Sequence, residues 1–131
     1  MINAFFIRHI KIIGVSFLLI FSFNTHAKRP EYHIVIKNHL FYPAEIIIPA
    51  NKKVKLIIFN HDNKAEEFDS FSLNREKVIF PDRSATIFIG PLSEGEYDFF
   101  GEFHPHSARG KVVVIEQVNL EKIAIGEQSV N

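Results

Sequence analysis

Between residues 31 and 116 the chain alternates apolar and polar residues in short runs and nowhere sustains the spacing of an amphipathic helix. A period of two places successive side chains on opposite faces of a pleated strand, so such runs are half-buried strands. The expected strands are Glu31 to Lys37, Ala44 to Ala50, Lys53 to Asn60, Phe68 to Leu73, Glu76 to Phe80, Ser84 to Gly90, Glu96 to Gly101 and Lys111 to Glu116. Pro43, Pro49, Pro81, Pro91 and Gly95 fall between or at the ends of these runs, where a missing N–H or an unusual backbone angle does no harm. Seven or eight short strands in roughly 90 residues predict an all-β fold, a two-sheet Greek-key β-sandwich, with a closed barrel as the second arrangement. Within "GEYDFFGEF" the alternation turns Tyr97, Phe99 and Gly101 inward and Glu96, Asp98, Phe100 and Glu102 outward.

The two ends differ from this body. Arg8 and Lys11 are the only charges before an apolar run from Ile12 to Phe23, which is shorter than the about 20 residues of a membrane-crossing helix. Thr25-His26-Ala27 then fits the small-x-small pattern of a leader cleavage site. Residues 1–27 are therefore expected to be a signal peptide cleaved near Ala27, giving a periplasmic protein with no stable membrane insertion afterwards. An uncleaved N-terminal anchor is the alternative. The domain is expected to run from 28 to 116, and residues 117–131 to form a loosely attached tail without strand or helix rhythm.

Composition narrows the function. Removing the leader takes away two basic residues and leaves 15 acidic ones, so the mature surface carries no basic excess with which to bind nucleic acid or anionic lipid. The chain has no cysteine. No disulfide can hold an exported chain of this kind, so apolar packing must do so, and the phenylalanines, isoleucines and valines supply it.

Four stretches, "FYPAEIIIPANKKVKLIIFN", "NKAEEFDS", "SATIFIGPLSEGEYDFF" and "FHPHSARGKVVV", together resemble the cupredoxin-like family, and most closely the small periplasmic EfeO-type cupredoxin domains. The resemblance covers roughly Tyr32 to Glu116. It implies a site built from an upstream histidine and from a cysteine, a histidine and a methionine on the loop joining the last two strands. On this sequence the cysteine position falls on Gly101, the methionine position near Ala108 or Arg109, and the upstream histidine position on Glu66, with Glu67 beside it. Only His104 matches the usual set. A blue-copper centre depends on a thiolate, so electron transfer by such a centre is excluded on chemical grounds.

What the resemblance leaves is a set of nitrogen and oxygen donors. The candidate metal ligands are His104, Glu66, Glu67, Glu102 and His106, with His104 and one glutamate as the central pair. Imidazole and carboxylate suit Cu(II), Fe or Zn, and the order of divalent affinities favours Cu(II). His33, His39 and His61 show no ligand-like pairing and read as surface or strand residues. The implied function is a periplasmic metal-binding protein of iron or copper acquisition, with an inner-membrane iron permease system as partner. Two alternatives stand beside it: a ferroxidase, which would make the chain an enzyme, and an interaction domain that has kept the fold and lost the metal.

Overall fold

The computed structural model describes residues 28–128; the expected leader and the last three residues of the tail lie outside them. Nine strands are present among the described residues: β1 (Glu31–Lys37), β2 (Leu40–Tyr42), β3 (Glu45–Pro49), β4 (Val54–Asn60), β5 (Glu66–Ser70), β6 (Arg75–Ile79), β7 (Ser84–Ile89), β8 (Gly95–Gly101) and β9 (Arg109–Ile115). One sheet has the order β2-β1-β4-β7 and the other β3-β9-β8-β5-β6. Both are mixed. β1 runs parallel to β4 and β3 parallel to β9, while the remaining neighbours are antiparallel.

Period-two patterning explains why the two sheets close on each other. β4 buries every second residue, and Val54, Leu56 and Ile58 have no exposed surface. Ile34 and Ile36 of β1 and Ile87 and Ile89 of β7 lie beside them on the same face. The opposite sheet answers with Ile46, Ile48, Phe68, Ile79, Phe99, Val112 and Val114. At the centre Phe99 meets Phe68 at 5.0 Å between ring centroids and Phe41 edge-on at 5.1 Å. Such offset and edge-on pairs place the positive rim of one ring against the negative face of another.

Three differences from the expected strands have physical causes. β2 has only three residues and follows β1 after a two-residue loop in which Asn38 and His39 both take left-handed angles, φ 54° and 60°. That backbone matches the twist of the flanking strands, and a run so short leaves little periodicity to read. β5 begins at Glu66 rather than Phe68, because Glu66 is a buried member of the strand and not part of a solvated loop. The segment Gln117–Gln128 is a helix, α1, rather than a stretch without rhythm. Val118, Ile123 and Ile125 are exposed along it, so no apolar stripe marks its period in the sequence. Lys52 Nζ donates to Gln117 Oε1 at the start of α1. No helix among the described residues is long and apolar enough to cross a membrane.

The aromatic centre holds the two strands that end at the candidate site. Phe68→Ala is expected to cost about 3–5 kcal/mol of stability, transfer and cavity terms together. Urea unfolding followed by circular dichroism measures it, and a loss below about 1 kcal/mol would show that Phe68 does not carry the packing assigned to it.

Candidate metal centre

At one end of the core, one pleat beyond the Phe68–Phe99 pair, the inward-facing position of β5 is a carboxylate. Glu66 is fully buried. Across the sheet Phe68 pairs with Gly101, the last residue of β8. A Cβ at Gly101 would lie 2.8 Å from the Glu66 carboxyl carbon and 2.8 Å from Ala108 Cβ. The carboxylate therefore fills the space that any side chain at position 101 would need. The position that the resemblance gives to a cysteine is glycine because its volume is already taken.

Burying an ionised carboxylate is costly unless donors surround it. Glu66 Oε1 accepts the backbone N–H of Phe103 at 3.0 Å and that of Glu67 at 3.1 Å. Its other oxygen, Oε2, lies 2.6 Å from His104 Nδ1. The Phe103 bond ties the loop that follows β8 to β5. Within that loop His104 N–H donates to the Gly101 carbonyl, Ala108 N–H to the His104 carbonyl, and Gly101 N–H to the Ala108 carbonyl. His104 therefore sits on a loop closed at both ends and held from below by Glu66.

A second imidazole completes the group. The His39 ring stacks on that of His104 with centroids 3.7 Å apart and planes 21° from parallel. Its Nδ1 is 3.9 Å from Glu66 Oε2, is buried, and has no hydrogen-bond partner. A tight left-handed turn puts it there, and Asp62 holds the turn: its two carboxylate oxygens accept the N–H groups of Asn38 at 2.7 Å and His39 at 2.8 Å. Burial would raise the Asp62 pKa, but the N–H groups of His39 and Asn38, with the nearby His39 and His104 rings, bring it below the ordinary value. Asn60, itself buried, orients Asp62 by accepting its backbone N–H and donating to the carbonyls of Lys64 and Ile79.

One donor atom from each of His39, Glu66 and His104 lies within 4.8 Å of the others. Two imidazoles and a carboxylate so placed suit a divalent ion of the Cu(II), Zn(II) or Fe(II) type. The buried Nδ1 of His39 fits such a group: it makes no hydrogen bond and lies 3.7 Å from Asp62 Oδ2 and 3.9 Å from Glu66 Oε2.

The structure brings together two of the five residues singled out from sequence, His104 and Glu66, and adds His39. Glu67 points to the opposite face of its sheet, and Glu102 and His106 are exposed on the loop. None of these three belongs to the cluster. The Glu67 carboxyl pKa is raised, first by burial and then by the charges of Glu76, Asp69 and Glu102 around it. His39 escapes a sequence reading because its partners lie more than twenty residues away. The available signal is the pair Asn38-His39 itself, two residues that tolerate left-handed angles, set between apolar runs.

The cupredoxin-like domain model matches residues 10–114. The protein RP394 of Rickettsia prowazekii (strain Madrid E) is 43% identical over 84 residues, covering 64% of this chain and 67% of that one. Auracyanin A, a "blue" copper protein of Chloroflexus aurantiacus, superposes with a TM-score of 0.59 at 13% identity, covering 67% of this chain and all of that one. The metal-binding domain of the Cu(I)-exporting P-type ATPase CopA of Streptococcus pneumoniae D39 gives 0.57 at 17% identity, covering 66% and 85%. At these identities the two structures establish the fold.

Two outcomes check this description. Gly101→Ala is expected to cost about 1–3 kcal/mol, because backbone or carboxylate must move to admit the methyl group. A melting temperature equal to that of the parent would show that Glu66 does not fill that space. Glu67→Gln is expected to raise the melting temperature at neutral pH. A carboxyl whose pKa is raised by folding destabilises the fold once ionised in both states, and this cost disappears as pH falls below the unfolded value. The gain should therefore vanish in acid, and a gain independent of pH in melting curves would contradict the crowding.

Proposed function

The chain belongs to the cupredoxin-like domain family, and we propose that it is a metal-holding module of that family, taking up one divalent ion through His39, Glu66 and His104. One observation carries the reading. The inward position at the end of β8 is a glycine, and the space above it is occupied by a buried carboxylate that faces two imidazoles. Without a cysteine in the chain, no thiolate is available for a blue-copper centre. A nitrogen and oxygen donor set suits instead a divalent ion of the Cu(II), Zn(II) or Fe(II) type.

Each residue has a part in holding and releasing such an ion. Glu66 supplies negative charge where solvent is excluded, so its attraction for a cation is little screened. Its Oε1 bonds to Phe103 and Glu67 keep the carboxylate aimed while Oε2 engages the ion. His39 and His104 are about one-third exposed along their side chains and form the solvent-side wall. An ion enters and leaves past them without unfolding the core. Cu(II) binds most tightly to such donors, and Zn(II) and Fe(II) less so.

The setting we infer is the periplasm, where the protein would bind or hand on metal in iron or copper acquisition beside an inner-membrane iron permease. Supporting this are the leader-like run ending at Ala27 and the resemblance to small cupredoxins of that kind. Copper is also named for the proteins of similar fold, a "blue" copper protein and a Cu(I)-exporting ATPase domain.

Titration of Cu(II), Zn(II) and Fe(II) into the purified protein, read by calorimetry and by thermal melting, tests the site. Binding is expected to raise the melting temperature, since the ion prefers the native state. His39→Ala, Glu66→Gln and His104→Ala are each expected to weaken binding by about tenfold or more, roughly 1.4 kcal/mol. His106→Ala and Glu102→Gln should bind like the parent. Equal affinity of the parent and the His39→Ala and His104→Ala variants would overturn the reading.

A further inference from the structure

We propose that the outer face of the five-stranded sheet, centred on Phe71, is a docking surface for a cationic segment of a partner protein carrying at least two lysines or arginines. Phe71 is 82% exposed, the most exposed large apolar side chain among the described residues, and its ring lies 5.4 Å from that of Phe100. A depression lies to each side of it. One, of about 410 Å³, has Phe71, Phe100 and Pro105 as apolar wall and Asp98 and Glu96 as acidic wall. The other, of about 360 Å³, is bounded by Phe71, Asp69 and Glu76.

Charge selects the occupant. Strand register sets Asp69 beside both Glu76 and Phe100, and Asp98 beside Lys111. Lys111 turns its ammonium to Glu96 at 3.0 Å and Glu45 at 3.5 Å. No ion pair engages the carboxylates of Glu67, Asp69, Glu76, Asp98 or Glu102 among the described residues. Two cations border the depressions. Arg75 donates to the Phe88 and Asn74 carbonyls, and Arg109, opposite Phe100 in the strand register, lines the larger one. The face therefore stays acidic around an aromatic centre, although the chain as a whole is neutral.

A lysine or arginine satisfies both parts of such a surface at once. Its apolar stem packs on a ring while its head reaches a carboxylate, and the ring face itself attracts the cation. Two such side chains, one on each side of Phe71, would place their heads at Asp98 and at Asp69 with Glu76. Pro105 joins this face to the loop that carries His104, so a docked partner would sit beside the metal centre. The docking surface itself does not rest on metal binding.

The test uses the purified protein and the peptide Lys-Trp-Lys-Lys with blocked ends, followed by amide chemical shifts in solution. Shifts are expected to centre on Phe71, Ser72, Asp98 and Phe100, and affinity to fall by about tenfold between low and physiological salt. Asp69→Asn combined with Glu76→Gln and Asp98→Asn, all outward-facing, should weaken the peptide by about tenfold or more while leaving metal affinity near that of the parent and the melting temperature no lower, since two of the charges that crowd Glu67 are removed. Phe71→Ala should weaken it while preserving the salt dependence. Shifts centred on Tyr42 and Phe103, self-association of the chain through Phe71, equal binding by the triple variant, or no shifts at millimolar peptide would each overturn the proposal.

Discussion

The buried carboxylate of Glu66 is the interaction on which this end of the molecule depends. It stands at the first position of β5, facing inward, and a charge there is tolerable only because two backbone N–H groups and an imidazole meet it. Those same bonds fix the loop that carries His104. Remove the carboxylate and the loop loses its anchor, while Gly101 gains an empty volume. The aromatic pair beneath, Phe68 and Phe99, packs the start of β5 against the end of β8, where that carboxylate and that glycine face each other.

This arrangement recasts what the cupredoxin-like fold does at the ends of its last strands. Auracyanin A, which shares the fold, is a "blue" copper protein. In this chain the inward space near Gly101 holds a carboxylate, and the third residue of the cluster, His39, comes from the first hairpin. Both layers thus contribute: His39 sits on the turn between β1 and β2 of the four-stranded sheet, while Glu66 begins β5 and His104 lies on the loop between β8 and β9 of the five-stranded one. An ion held between the layers, as proposed, would bind only when the sandwich is closed, which would link occupancy to stability.

Most of the fold was legible because period-two alternation is a local signal. β1 and β4 could be read from a handful of residues each, since burial of Ile34, Ile36, Leu56 and Ile58 follows from strand geometry alone. The site was legible in part. His104 and Glu66 came from position in the family pattern, whereas Glu67, Glu102 and His106 were chemically suitable but face solvent or the outer side of the sheet. His39 was passed over because its role arises from a turn held by Asp62, a contact between parts of the chain that no short window contains. The start of β5 was missed for a related reason: a glutamate pair reads as solvated loop, and only the three-dimensional donor set around Glu66 makes its burial affordable.

Two imidazoles, one from a turn of each sheet, and one buried carboxylate are proposed to share an ion. Pulsed electron paramagnetic resonance of the Cu(II)-loaded protein counts coordinated imidazoles directly. Couplings from two are expected, falling to one in the His39→Ala variant. Coupling from a single imidazole in the parent protein, or a spectrum unchanged by His39→Ala, would contradict it.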